Sequence, residues 1–521
     1  MNNAPAILRS LIIYAVCVPL AVAVGYMLTN PMDYSTLGLF GILALVLVSP
    51  LLLRWHYPLL LFSWFSTITV FFFVGAPNLW LVMVALSLGI SVLERALSDQ
   101  MHFIRVPQIT WPLIAMIAVV IITAEATGGV GLKAFGSAVY GGRKYIFLLV
   151  GIMSYFALTS RRIPPEKAGL YVALFFLGQT TRIIGDFYSI APSWLHYIFY
   201  VFPPTISDEP FEVGRTRLGG VCGAATGMIL WMLSRYGIRG ILLSGKLWRP
   251  FLFMVFFLLV FLGGFRSSLF LVMTAFILMF FMEGLHHTRL LPAFILVGIL
   301  GIATLIPFAH KLPFTFQRTL ALLPLDLEPA AKQSAEDSTN WRLQMWKALL
   351  PQIPNHLLLG TGYVIPTEEY NEMMGMGATM AAATAKFDPS QSPLALYYDY
   401  HNGMLSIVLC FGIWGVIVFL WFVFAGLRVL YLNFKYGDPA LRPVNSLLFA
   451  LFFTEVASYV SCMAGLQLAI EIGYFTGYLG FSIALNHGVC QPAPQPVPVK
   501  EAFLRPQGAL PGSQPRPAFP R

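Results

Sequence analysis

Apolar stretches about as long as a bilayer is thick follow one another along this chain, separated by short polar breaks. A hydrocarbon core of roughly 30 Å needs about 20 consecutive apolar residues per helix. Fourteen stretches approach that requirement: 9–28, 35–53, 57–75, 78–95, 106–124, 144–160, 167–185, 218–234, 250–264, 268–282, 290–308, 402–424, 444–463 and 465–486. The ninth and tenth are short and joined by a tight turn, so they read either as two spans or as one bent element. Composition agrees: 11% of residues are charged and 58% hydrophobic, whereas a soluble domain carries about 25% charged residues. That deficit excludes a soluble enzyme, a disordered chain and a nucleic-acid-binding module. The expected fold class is all-α, a polytopic integral membrane bundle of about 12–14 transmembrane helices with one long outer loop.

Near the N-terminus, Arg9, an apolar run from Leu11 and Ala21-Val22-Ala23 imitate a signal peptide with its cleavage site. The run continues to Leu28 and more spans follow, which favours a retained first helix. Cys17, Cys222, Cys410, Cys462 and Cys490 have no spacing that suggests a disulfide framework or metal knuckle. The expected organisation is N-terminal transmembrane helices over 1–308, a long loop with amphipathic helices over 309–401, C-terminal transmembrane helices over 402–486 and a tail over 487–521. Nine prolines fall within 491–521, the composition of a disordered segment.

The net charge of +9 matters through its distribution. With a cytoplasmic N-terminus, fifteen cations fall on inner segments and seven on short outer ones. The positive-inside rule therefore favours both termini inside. The loop 309–401 then lies outside, where long translocated segments escape the rule.

The outer seven are Lys133, Arg143, Lys144, Arg182, Arg215, Arg217 and Arg266. They fall near one membrane depth. A guanidinium fork bonds two phosphate oxygens at once, so such a ring suits a lipid-linked pyrophosphate. The competing reading is interfacial snorkelling to headgroups, which has most force at Arg143, Lys144 and Arg182. It has least at Arg266, where Gly263-Gly264 and Ser267-Ser268 allow close backbone approach and supply donors.

Within the long loop, Ser338 to Leu350 reads as a capped amphipathic helix ended by Pro351. Arg342, Trp346 and Leu349 share one face, so Arg342 is expected to look towards the packed side and to need an anionic partner. Leu359-Gly360-Thr361-Gly362-Tyr363 reads as a turn. Residues 373–385, rich in Met, Ala and Gly, read as a mobile lid or a merely flexible stretch. His401 stands where the chain re-enters the membrane, at the depth of the arginines. Histidine is suited to take a hydroxyl proton near neutral pH, and Asp399 or a tyrosine is a candidate to orient it.

No Asp-x-Asp and no His-x-x-x-His pair occurs, and the short outer stretch from Thr29 to Tyr34 holds one acid, Asp33. The site is therefore expected to need no metal and no cofactor. Glu455 and Glu471 lie in apolar spans, where acids are functional candidates by default. They read as a proton relay, or as polar glue or partners for an outer arginine; the second reading is preferred.

The assembled pattern resembles the O-antigen ligase / O-antigen polymerase superfamily of bacterial envelope glycosyltransferases, over roughly 214–425. Four blocks carry the resemblance: Gly214 to Gly220 with Arg217, Gly263 to Leu269 with Arg266, Trp341 to Gly362 with Arg342, and His401-Asn402-Gly403 followed by Gly412-Ile413-Trp414-Gly415. The resemblance implies a helical bundle with a long periplasmic loop capping a cavity, in the bacterial inner (cytoplasmic) membrane with its active site facing the periplasm. It implies transfer of a glycan from an undecaprenyl-pyrophosphate donor to an acceptor hydroxyl, on lipid A-core or another glycan. Carried over by position, Arg217 and Arg266 hold the pyrophosphate, His401 acts on the acceptor and Arg342 is the loop arginine. Arg215 is a neighbour of unfixed register, and Arg182 joins as a substrate-binding candidate. Arg266 and His401 are the expected catalytic pair. The Arg266-Ser267 sequence departs from the Arg-Gly usual in the family.

The chemistry expected is metal-independent and inverting. Arginines stabilise the charge growing on the leaving pyrophosphate, and His401 takes the acceptor proton. A polymerase using the same site is the near alternative. A lipid-linked-sugar transporter is the rival from another class; it is disfavoured because the charges gather at one face rather than through the membrane. Membrane lipids, and no nucleic acid, are the remaining expected partners.

Overall fold

The computed structural model describes residues 34–73, 76–98, 102–128, 141–208, 216–321, 325–364, 400–460 and 468–492, with scattered positions between 14 and 25 and at 130, 131 and 323. The first expected span and the Pro-rich tail fall largely outside the described residues, as do Arg215, Lys133, Asp399 and the 373–385 stretch. The chain divides into two units, 1–490 and 491–521.

The helices are α1 (Tyr34–Ser63), α2 (Leu79–Leu97), α3 (Pro107–Ala126), α4 (Gly142–Leu158), α5 (Ala168–Leu177) and the short α6 (Ile198–Val201). A two-stranded antiparallel ribbon follows, β1 (Ile206–Asp208) with β2 (Thr216–Leu218). Then come α7 (Gly219–Leu242), α8 (Trp248–Val260), α9 (Arg266–Met282), α10 (Leu290–Leu305), α11 (Phe314–Leu320), α12 (Pro329–Leu349) and α13 (Ile353–His356). The chain closes with α14 (Gly403–Tyr436), α15 (Arg442–Val460) and α16 (Leu468–Leu485). Six helices among the described residues are long and apolar enough to cross a membrane, and shorter apolar ones accompany them. The molecule is an all-α polytopic membrane protein, as the apolar runs require.

Several boundaries differ from those read off hydropathy. The second expected span and the first residues of the third are two arms of one helix, α1, bent by 104° between Gly41–Pro50 and Leu52–Ser63; the helix stops at Ser63, short of the expected end at 75. Pro50 lies at the bend, where its missing N–H breaks the helical ladder. Beyond Ser63 the chain leaves the helix, and Thr69 is bridged to Asn78. The ninth and tenth expected spans are separate helices, parted by the left-handed residue Gly264. The seventh continues past α5 as 3-10 turns over Gly178–Phe187.

The core centres on α16. Phe475, Leu479, Phe481 and Ile483 on it have no solvent exposure. Phe481 stacks on Phe175 of α5 at 4.3 Å. The Thr476 and Ser154 hydroxyls meet at 2.7 Å between α16 and α4. Gly473 and Gly477, four residues apart, face the indoles of Trp80 and Trp64, the small-residue packing by which membrane helices approach closely. By contrast, α10 buries none of its residues and presents apolar side chains all round.

Two further long helices are broken at a glycine, and each of these breaks is repaired by another part of the chain. In α7, Gly237 leaves the helical region at φ 62°. The Glu283 carboxylate then accepts from the N–H groups of Ile238 and Arg239 at 2.8 and 2.9 Å. In α14 the break is at Gly412, φ 64°. It frees the carbonyls of Leu409 and Cys410, which accept from the N–H groups of Thr361 and Gly362 at 2.8 and 2.9 Å. The N–H of Ile413 reaches the carbonyl of Leu357 at 2.7 Å. Unmatched backbone groups cost several kcal/mol each in an apolar surround, so the break and the inserted segment need one another. The Gly360-Thr361-Gly362 stretch, expected as a plain turn, is a backbone splice into a membrane helix. Tyr363 follows it into the core between Tyr145 and Phe411, with ring centroids at 5.1 and 5.3 Å.

Candidate functional site

The amphipathic helix of the long loop is α12. It starts at Pro329, nine residues before the expected Ser338, and ends at Leu349 just ahead of Pro351. Pro329 at the first helical position is well placed to start it, and the residues from Ala330 onwards continue it. Its packed face carries Trp341, Met345 and Leu349, which meet Tyr400, Leu405 and Leu409 at the start of α14. Arg342, half-buried, borders that face. Below, α11 packs through Phe316 on Phe261, rings stacked at 5.1 Å, and so seats the loop on the end of α8.

Arg266 is the first residue of α9 and half-buried. Its Nη2 donates to the Ala335 carbonyl on α12 at 3.4 Å. Six residues along α12, Trp341 meets the ring of His401 edge-on, centroids 5.5 Å apart. At 1.5 Å of rise per residue, that separation is about 9 Å. One helix thus touches both expected catalytic residues, with Arg342 next to Trp341.

The His401-Asn402-Gly403 motif divides its labour. Asn402 caps α14, its Oδ1 accepting from the Leu405 N–H at 3.1 Å. A side chain at Gly403 would strike the ring of Tyr459. Trp346 donates its indole N–H to the Tyr400 carbonyl at 2.7 Å. His401 itself is held at φ 50°, a left-handed conformation that costs an L-residue about 1–2 kcal/mol. Such strain is maintained only where surrounding contacts over-determine the backbone.

Arg217 lies on β2, paired across the ribbon with Ser207. Its guanidinium stands over the Phe265 ring at 5.6 Å. Phe265 immediately precedes Arg266, so the ribbon bearing Arg217 packs on the turn that leads into α9. Arg182 lies in the 3-10 turns, its stem packed against Gly223 of α7 and its Nε buried without a hydrogen-bond partner.

Asp186 was not singled out by the sequence. It is buried, and its carboxylate knots three segments. Oδ1 accepts from the Thr205 hydroxyl at 2.6 Å and the Gly220 N–H at 2.9 Å; Oδ2 accepts from the Val221 N–H at 2.7 Å. Thr205 also donates to the Arg182 carbonyl at 3.2 Å. The carboxylate caps α7 and complements its dipole, while clamping the entry to β1 and the exit from β2. Gly220 is required there, since a Cβ would lie 2.7 Å from both the Asp186 Cγ and the Thr205 hydroxyl. The only sequence signal was the Gly219-Gly220 pair, which marks a close approach without saying to what.

The remaining candidates separate from this group. Arg143 is exposed, its guanidinium over the Phe147 ring at 5.0 Å. Lys144 stands over Tyr363 at 5.5 Å. Glu455 accepts from the Tyr478 hydroxyl at 3.5 Å, joining α15 to α16. Glu471 is buried in the first turn of α16, where a carboxylate complements the helix N-terminus.

Fold and site together define a polytopic helical membrane protein in which one polar helix, α12, contacts Arg266 through Ala335 and the left-handed His401 through Trp341. Residues 251–420 match the family model described as O-antigen ligase, and the match supports membership of the O-antigen ligase family. It supports a membrane glycosyltransferase of the ligase or polymerase type. The matched region contains Arg266, Arg342 and His401; Arg182, Arg215 and Arg217 precede it. No curated protein matches the chain.

Proposed function

We propose that this protein transfers a glycan from undecaprenyl pyrophosphate to an acceptor hydroxyl at the periplasmic face of the inner membrane. The observation that carries the reading is the double contact of α12, with Arg266 through Ala335 and with the ring of His401 through Trp341. Arg217, Arg266 and Arg342 offer planar donors to the pyrophosphate oxygens. Arg182 and Arg215 are further contacts to the donor. As the bond from the anomeric carbon to the phosphate oxygen breaks, negative charge grows on that oxygen and the guanidinium groups stabilise it. His401 accepts the proton of the acceptor hydroxyl as its oxygen bonds the anomeric carbon from the opposite face. A single displacement of this kind inverts the anomeric configuration. Lipid A-core or a second lipid-linked glycan is the acceptor class.

The test is transfer by the purified protein in vesicles, with lipid-linked donor and acceptor supplied. New glycosidic product that disappears in both Arg266→Ala and His401→Ala supports the reading. Normal rates in stably folded variants overturn it, and so does movement of labelled lipid without a new bond, the behaviour of a transporter. A deletion strain separates the two acceptors. Long chains left lipid-linked indicate a ligase, and single repeats a polymerase.

A further inference from the structure

Residues 187–205, between the 3-10 turns and β1, contain no Lys, Arg, Asp or Glu. They fold around a small interior of rings. Tyr188 stacks on His196 at 5.1 Å, and both meet the buried Phe199 edge-on. The His196 Nε2 lies 3.1 Å from the Ala191 carbonyl. Thr69 anchors the far end, its N–H donating to Val201 at 2.8 Å and its hydroxyl to Tyr200 at 2.6 Å. This interior turns Ile190, Trp194 and Tyr197 outwards, at 75, 74 and 68% exposure.

Three environments can be weighed for that outer surface. Water disfavours a continuous apolar patch. The hydrocarbon core disfavours the backbone, because the helical pieces here are only three and four residues long and leave amides that need water or headgroups. A partner protein selected by ion pairs finds no charge to engage. The membrane–water interface satisfies both the side chains and the backbone. There Trp and Tyr bury their rings and turn N–H and O–H groups towards headgroups. Position in the chain agrees, since the helical run apolar enough to span ends at Phe187 and the next long helix starts at Gly219.

We propose that residues 187–202 form a platform lying in the membrane–water interface, in contact with phospholipid at headgroup and ester depth. This stands independently of the catalytic reading. It has a consequence for the site, because Asp186 precedes the platform and Thr205 follows it, and these two residues tie Arg182 and the ribbon bearing Arg217 together. The depth of the platform therefore sets the depth of those arginines.

The test uses the full chain in vesicles of phosphatidylethanolamine and phosphatidylglycerol. Photoreactive phospholipids carry a diazirine either beside the headgroup or at the acyl terminus, and labelled peptides are mapped by mass spectrometry. The headgroup-proximal probe is expected to label 187–202, and the acyl-terminal probe to label α10, whose exposed apolar faces serve as the control. Labelling of α10 with 187–202 untouched by either probe overturns the proposal, as water or a protein partner then covers the segment. Predominant labelling of 187–202 by the acyl-terminal probe overturns it too. A Trp194→Ser, Tyr197→Ser variant leaves the Tyr188–His196–Phe199 interior intact. It is expected to lose headgroup-proximal labelling several-fold, and unchanged labelling counts against the platform.

Discussion

The indole of Trp341 stands edge-on to the imidazole of His401, ring centroids 5.5 Å apart and planes at 76°. A helix of the long loop thereby holds a residue at the mouth of a membrane helix. The backbone at His401 is left-handed, φ 50°, so position 401 carries strain that packing maintains. Replacement by glycine removes the strain, whereas replacement by alanine keeps it. His401→Gly is therefore expected to unfold at a higher temperature than His401→Ala, by the equivalent of about 1 kcal/mol. Both are expected to lose roughly 10²–10⁴-fold in transfer rate. Thermal unfolding in detergent and a vesicle transfer assay check the pair, and equal stability of the two variants contradicts the strain.

Arg266 makes a long hydrogen bond to the Ala335 carbonyl, which satisfies only part of its donor fork. Arg266→Lys keeps a charge but loses the planar geometry that bonds two oxygens. Transfer is expected to fall about 10²–10³-fold, the usual cost of one lost transition-state donor, with little change in unfolding temperature. A variant that transfers normally removes Arg266 from the pyrophosphate site.

Asp186 caps α7 and ties both flanks of the ribbon. Asp186→Ala is expected to cost about 1–2 kcal/mol through the lost cap alone, read as a lower unfolding temperature. If Asp186 acts on transfer by setting Arg217, it adds little further loss in an Arg217→Ala background. Full additivity of the two substitutions shows that the carboxylate does not act through Arg217.

The splice at Gly412 makes a sharper prediction. Thr361→Pro deletes the N–H that reaches the Leu409 carbonyl. The loss is expected to be several kcal/mol, because that carbonyl belongs to a membrane helix and has lost its helical partner. Thr361→Ala keeps the N–H and loses only the weaker hydroxyl bond to the same carbonyl at 3.2 Å, so its expected cost is about 1 kcal/mol. Protease resistance and unfolding temperature measure both, and equal behaviour of the two variants dismisses the splice as a structural element.

The candidate site could be proposed from local sequence, because its residue types are uncommon in their surroundings. Arginine at an apolar boundary stands out, and so does histidine at the head of a long apolar run. The expected α12 face was close to the mark, since Leu349 is buried and Trp346 and Arg342 are partly so; Met345 and Trp341 carry more of the contact than the spacing from Arg342 suggested. Asp186 was not legible. It is one acid among many in sequence, and its meaning lies in backbone donors 34 and 35 residues away. The same holds for Thr361 and Gly362, whose partners sit beyond a long intervening stretch.

The sequence alone determined that the chain is a helical membrane bundle, because membrane insertion responds to apolarity summed over some 20 consecutive residues. It also determined where along the chain the cations fall, since charge is carried residue by residue. Tertiary structure decided which broken helices are sealed by which segments, that one carboxylate fastens the arginine-bearing ribbon, and that α12 touches both Arg266 and His401. Apart from the Trp341–His401 ring contact, those are matches between single donors and acceptors far apart in the chain. Such matches hold only at distances near 3 Å, and only packing of the whole bundle brings the partners that close.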